Sequence, residues 1–162
     1  MDDYRVSEYL FRTSLARFEF DRAPRLHFDS RFGPAEHHLL EVHEHNHWAL
    51  AHSTSFGIAQ LSLAYALMLA QSEEQKDRYR ECLRITTDLS REVYEGCAVY
   101  HEMAFARRHE VPIDAQWFAA LEGTVYSRAQ ALFDAFLREL PFGEALKESI
   151  ATNVAELILN SA

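Results

Sequence analysis

Apolar residues recur along this chain at intervals of three and four, in stretches parted by glycine, proline and hydroxyl-rich breaks. Gly33-Pro34 is the first clean break, and Pro34 suits the opening turn of a helix running from about Ala35 to His52. Ser53-Thr54-Ser55-Phe56-Gly57 interrupts the pattern and offers hydroxyls to cap the next helix. That second helix is expected over about Ile58 to Gln71, apolar on most sides and therefore central. Ser72-Glu73-Glu74 opens a long third helix to about Arg108, with Leu83, Ile85, Leu89, Val93 and Val99 as apolar positions. Gly96 falls inside it at a cost of about 1 kcal/mol against alanine, which implies a packing or functional reason. Val111-Pro112 closes that segment. Asp114 can cap a fourth helix to about Leu140, carrying Trp117, Phe118, Leu121, Val125, Leu132, Phe133 and Phe136 at helical spacing. Pro141-Phe142-Gly143 turns into a last helix over Glu144 to Leu159.

The first 32 residues read less clearly. Tyr4 to Phe20 fits a helix, whereas Arg25-Leu26-His27-Phe28-Asp29 alternates as a short half-buried strand does. No internal repeat, low-complexity tract or linker divides the chain. Residues 1–162 are therefore expected to form one mainly α domain, a helical bundle of about five helices with a short N-terminal strand.

A chain of 162 residues with 48% hydrophobic content can bury a real core. The net charge of −9 and the lack of a long basic run argue against a nucleic-acid partner. Six arginines between Arg5 and Arg31 are interspersed with acids, which reads as an ion-paired surface. Met1-Asp2-Asp3-Tyr4-Arg5 is not followed by the apolar core of a secretory signal. The most apolar run, Phe56 to Ala70, is interrupted by Gln60 and short for a bilayer, so a buried helix explains it and no membrane partner is expected. Cys82 and Cys97 would sit roughly 22 Å apart on one helix, too far to pair with each other. A reduced, cytoplasmic setting is the resulting expectation.

Candidate chemistry centres on His43-Glu44-His45-Asn46-His47, an H-E-x-x-H pattern. Residues four apart on a helix lie about 40° apart around its axis, so His43 and His47 project from one face. Two imidazoles so placed can bind one zinc ion, and Glu44 beside the first can reach a metal-bound water. This sets the leading expectation, a zinc-dependent hydrolase acting on a peptide or protein substrate. His37, His38, His43, His45, His47 and His52 all fall within sixteen residues, so a solvated histidine-rich face is the competing reading. Leu39, Leu40, Val42, Trp48 and Leu50 oppose it by burying part of the helix. A two-histidine site also needs a third protein ligand and an open position.

Glu95-Gly96-x-Ala98 resembles the Glu-Gly-x-Ala segment of gluzincin metallopeptidases. His43-Glu44-x-x-His47 followed by Ser53-Thr54-x-x-Gly57 resembles uncharacterised bacterial proteins of the zincin type with a similar H-E-x-x-H…S-T-x-x-G arrangement. The resemblance covers about Ala35 to Glu102. It implies a zincin-like domain with His43, His47 and Glu95 as zinc ligands and Glu44 as general base. Such chemistry also needs an oxyanion stabiliser, and Tyr100 and His101 stand as catalytic candidates through their closeness to Glu95 in sequence. Glu102 lies seven residues after Glu95, about 20° away around the helix, on a face shared with Glu92. It is an alternative metal ligand, a partner that orients a histidine, or part of a solvated acidic stripe.

Two rivals come from other classes. Glu44-x-x-His47 is also the E-x-x-H element of helical-bundle dimetal (di-iron) carboxylate proteins, with Glu41, Glu92, Glu95 and Glu102 to complete a dinuclear centre. Those bundles carry the element twice, whereas Ala98 and Ala106 stand three residues before His101 and His109. The other rival is a non-catalytic zinc-binding interaction module, working as a homo-oligomer or beside a partner subunit and marked by a large exposed apolar patch. Nucleophilic catalysis has little backing, since no G-x-S-x-G and no phosphate-binding glycine loop occurs.

Overall fold

The breaks in the hydrophobic pattern become helix ends. The computed structural model describes residues 16–19, 25–28, 34–111 and 125–161. Its helices are α1 (Pro34–Ser53), α2 (Ser55–Leu69), α3 (Glu73–Arg108), α4 (Val125–Arg138) and α5 (Glu144–Ser161). Ahead of them, β1 (Ala16–Glu19) and β2 (Arg25–Phe28) pair antiparallel, with Ala16 opposite Phe28 and Glu19 opposite Arg25. The C-terminal end of the helix expected over Tyr4 to Phe20 is thus extended backbone, and its beginning lies outside the described residues. So does the part of the fourth helix that would carry Trp117, Phe118 and Leu121.

Thr54 separates α1 from α2 by itself. Its hydroxyl donates to the Leu50 carbonyl at 2.7 Å and accepts the Gly57 N–H at 3.0 Å, so one side chain closes one helix and caps the next. For that reason α2 begins at Ser55, earlier than the apolar pattern alone indicates. Gly57 makes the close turn feasible, because a Cβ there would stand 2.5 Å from both the Cα and the carbonyl oxygen of Ala51. Ser72 caps α3 by accepting the Gln75 N–H at 3.2 Å. Glu73 and Glu74 in its first turn and Arg107 and Arg108 in its last complement the helix dipole. At the far end the Val111 N–H reaches the Ala106 carbonyl at 3.0 Å, around Glu110 in the left-handed region at φ 51°.

α3 packs against every other helix described. From Tyr94 through Tyr100 each successive residue is buried, so this stretch has no solvent face. Small side chains at Gly96, Cys97 and Ala98 let its neighbours approach. A Cβ on Gly96 would lie 2.6 Å from Phe133 Cδ2 and 3.2 Å from the Ala129 carbonyl oxygen, so the α3–α4 contact supplies the packing reason for that glycine. Leu50, Leu67, Leu83, Tyr94, Cys97 and Leu159 form the main core cluster. The expectation that α2 is central is overturned, since Ile58 is 52% and Leu69 72% exposed. Hydrophobicity sets how strongly a segment gains from burial, not how many partners it meets. α3, with 36 residues and a length of about 54 Å, has the surface to take the central place. Among the described residues no helix is long and apolar enough to cross a membrane.

Candidate metal centre

α1 turns its buried stripe toward α3 through Leu39, Leu40, His43, Glu44, His47, Leu50 and Ala51. These positions recur at three and four residues, so His43, Glu44 and His47 occupy core positions between leucines. The histidine-rich face therefore divides. His38, His45 and His52 are exposed, with His45 Nδ1 2.9 Å from the Glu41 carbonyl and His52 Nδ1 2.8 Å from the Trp48 carbonyl. His43 is 4% exposed, and His47 and Glu44 are fully buried.

α3 brings Glu95 to the same point. His43 Nε2 and His47 Nε2 are 2.9 Å apart, and Glu95 Oε2 lies 3.2 Å from the first and 3.3 Å from the second. A triangle with these sides has a circumradius of roughly 1.8 Å. A point at the usual zinc–ligand distance of about 2.05 Å from all three atoms therefore lies roughly 0.9 Å off their plane. That is the shape of three corners of a coordination tetrahedron. These three side chains form the one group of metal-ligating residues that converges among those described. Two imidazoles and a carboxylate are also a donor set that suits zinc.

The other nitrogen of His43 is engaged too. Nδ1 lies 3.0 Å from Glu102 Oε2, and Glu102 is 2% exposed. Glu102 therefore holds the His43 ring from behind and is not one of the converging ligands, and it is too deeply buried to belong to a solvated stripe. A carboxylate on the far nitrogen fixes the tautomer and orientation of a metal-binding imidazole.

Electrostatics in the cluster follow from burial against pairing. Burial works to lower the His43 pKa, but the hydrogen bonds and charges of Glu102 and Glu95 raise it well above 6.5. Burial pushes Glu95 up, yet the charge on His47 and hydrogen bonds from both imidazoles hold its carboxyl well below the usual carboxylate range.

Tyr126 on α4 is a site residue that no local motif announces. Its ring centroid lies 6.1 Å from that of His43. Burial and then the carboxylates of Glu95, Glu44 and Glu102 push its hydroxyl up, which keeps it a neutral donor. Tyr94 flanks the other imidazole, with ring centroids 6.0 Å apart, and burial raises its pKa to about 12.

Tyr100 and His101 do not belong to this site. A helix advances about 100° per residue, so they point about 140° and 120° away from Glu95, in opposite senses. Tyr100 packs with Leu137 and Ala151, and His101 Nε2 lies 2.9 Å from the Thr152 hydroxyl on α5. Closeness in sequence places them near Glu95, and helical rotation takes them away. The dinuclear set fails in the same manner, because Glu92 is exposed and the Glu41 side chain, 47% exposed, stands beside His38. Comparison of this chain with protein-family models, curated proteins and solved structures finds no match.

Proposed function

We propose that this protein is a hydrolase that holds one zinc ion between His43, His47 and Glu95 and cleaves a peptide or amide bond. The observation that carries the reading is the closed triangle of two Nε2 atoms and one carboxylate oxygen. The bound ion would supply Lewis acidity, making water nucleophilic near neutral pH and polarising a carbonyl. Glu44 is the general base, taking the proton of the attacking water and passing it to the leaving amine. Glu102 fixes the His43 ring so that Nε2 faces the ion. Tyr126, protonated across the neutral range, takes the oxyanion role for which Tyr100 and His101 are wrongly placed. Cys82 and Cys97 are free thiols, which supports a reducing, cytoplasmic setting for this activity.

The complete burial of His47 and near-complete burial of His43 and Glu95 favour a second reading, a non-catalytic zinc module in which the ion joins α1 to α3. Elemental analysis and one variant separate the readings. The purified protein should carry about one zinc per chain, lost in both His43→Ala and His47→Ala. Two irons per chain would instead revive the dimetal class. Glu44→Gln should keep the zinc and lose all turnover of a fluorogenic peptide library. If that variant cleaves the library as well as the parent, Glu44 is not the base.

A further inference from the structure

Away from the metal centre, a cavity of about 220 Å³ opens where the C-terminal part of α3 meets α4 and the start of α5. Tyr100 and Arg107 from α3, Asp134 and Arg138 from α4, and Glu144 and Lys147 from α5 surround it, and Leu137 adds an apolar wall. It is smaller than the roughly 300–1,000 Å³ of drug-sized pockets, a size for a small metabolite. Arg107 and Glu144 satisfy each other, the guanidinium donating at 3.2 Å. Among the described residues Arg138 and Lys147 make no ion pair, and Asp134 accepts only the Gln130 amide at 3.4 Å. Tyr100 is 3% exposed, and its hydroxyl has no hydrogen-bond partner among the described residues.

Two cations and one carboxylate left open around a small cavity are the inverse of two carboxylates and one ammonium. We infer that this cavity binds a dicarboxylic α-amino acid, with its carboxylates on Arg138 and Lys147, its ammonium on Asp134 and the Tyr100 hydroxyl donating to a carboxylate. The ligand's single net negative charge matches the single net positive charge of the lining. A chain with a net charge of −9 repels small anions over most of its surface, so such a site has to be built locally. Charge-assisted hydrogen bonds to a guanidinium and an ammonium supply the affinity, and Asp134 distinguishes an amino acid from a plain diacid. The cavity lies on the α4–α5 side of α3 and does not depend on the metal reading.

Calorimetric titration of the whole chain at low ionic strength tests this with three probes: L-glutamate, glutarate and inorganic phosphate. L-Glutamate should bind with a Kd below about 1 mM, and both Arg138→Ala and Lys147→Ala should abolish binding. Asp134→Asn should weaken L-glutamate about tenfold while glutarate binds at least as tightly as before, a split that general loss of structure would not produce. Arg138 is exposed and Asp134 and Lys147 are half-buried, so these variants should keep the parent's helical circular dichroism. No heat from L-glutamate at about 10 mM overturns the inference. Phosphate binding as tightly as L-glutamate also overturns it, as does binding that survives loss of both cations.

Discussion

Between Glu73 and Arg91, α3 carries the ion pairs Glu73–Lys76, Asp77–Arg80, Glu81–Arg84 and Asp88–Arg91, each three residues apart along one helix. About one and three turns later its carboxylates at Glu95 and Glu102 meet imidazoles of α1 instead. The chemistry is alike and the surroundings are opposite. In the first half the partners are mostly exposed, so water and salt screen them and each pair adds little to stability. Around Glu95 and Glu102 water is largely excluded, and each buried charge requires a specific counter-charge. A helix can thus be solvated by one set of acids and be held against a neighbouring helix by another. Burial decides which acids do which, and residue type does not.

Breaking the buried half should have the largest effect. Glu95→Gln should leave the protein without zinc at equimolar metal. In the metal-free protein it should cost about 3 kcal/mol in denaturant unfolding, because two buried imidazoles lose their shared carboxylate. Glu102→Gln should be milder and lower zinc affinity about 10- to 100-fold, as measured by competition with a chelator.

The pH dependence sharpens the contrast, because the metal-free and zinc-loaded forms should slope in opposite directions. The folded-state pKa of His43 is raised, so its contribution is complete below about 6.5 and lost as pH rises through the folded value. That of Glu95 is depressed, so its contribution is complete above about 4.5 and lost on acidification through the folded value. Metal-free protein should be most stable between those limits and weaken toward alkaline pH. Zinc needs deprotonated imidazoles, so zinc-loaded protein should gain stability over the same rise. Denaturant midpoints across a pH series, with and without zinc, check both slopes.

Smaller still is Gly96→Ala. The added methyl meets Phe133 and the Ala129 carbonyl, and the better helix propensity of alanine offsets only part of that cost. A net loss of about 1–2 kcal/mol is expected by chemical denaturation. Arg84→Ala, in the solvated half, should leave the denaturation midpoint unchanged within error. A large loss there would erase the distinction between the two halves.

How much of this the sequence disclosed depends on whether a signal was local. Pro34, Thr54 and Ser72 act through their own backbone neighbours, so the ends of α1 and the start of α3 follow closely from the residues there. The convergence of His43 and His47 was legible in their four-residue spacing, and Glu95 in the Glu-Gly-x-Ala segment of the long third helix. The seven-residue step to Glu102 placed it on the right face, but which nitrogen of His43 it meets depends on how α1 lies across α3. Tyr126 comes from a helix with no spacing relation to the motif, and only the folded chain brings it near. Tyr100 and His101 failed for a reason visible in helix geometry alone, since consecutive residues on a buried helix face different neighbours. The central role given to α2 failed because composition carries no information about the number of partners.

His43 is gripped lengthwise, with one ring nitrogen against Glu95 and the other against Glu102. The residues that carry those carboxylates stand seven positions apart on α3, about 10.5 Å along its axis, and their side chains lean toward one another to reach a single ring. Sliding α1 past α3 by a single residue's rise of about 1.5 Å would unseat both contacts together. The ring therefore works as a detent, admitting one axial setting of the two helices. On the proposed reading, a cation held by His43, His47 and Glu95 would tie α1 to α3 at that same setting, so a chelator should lower the denaturation midpoint of the zinc-loaded protein.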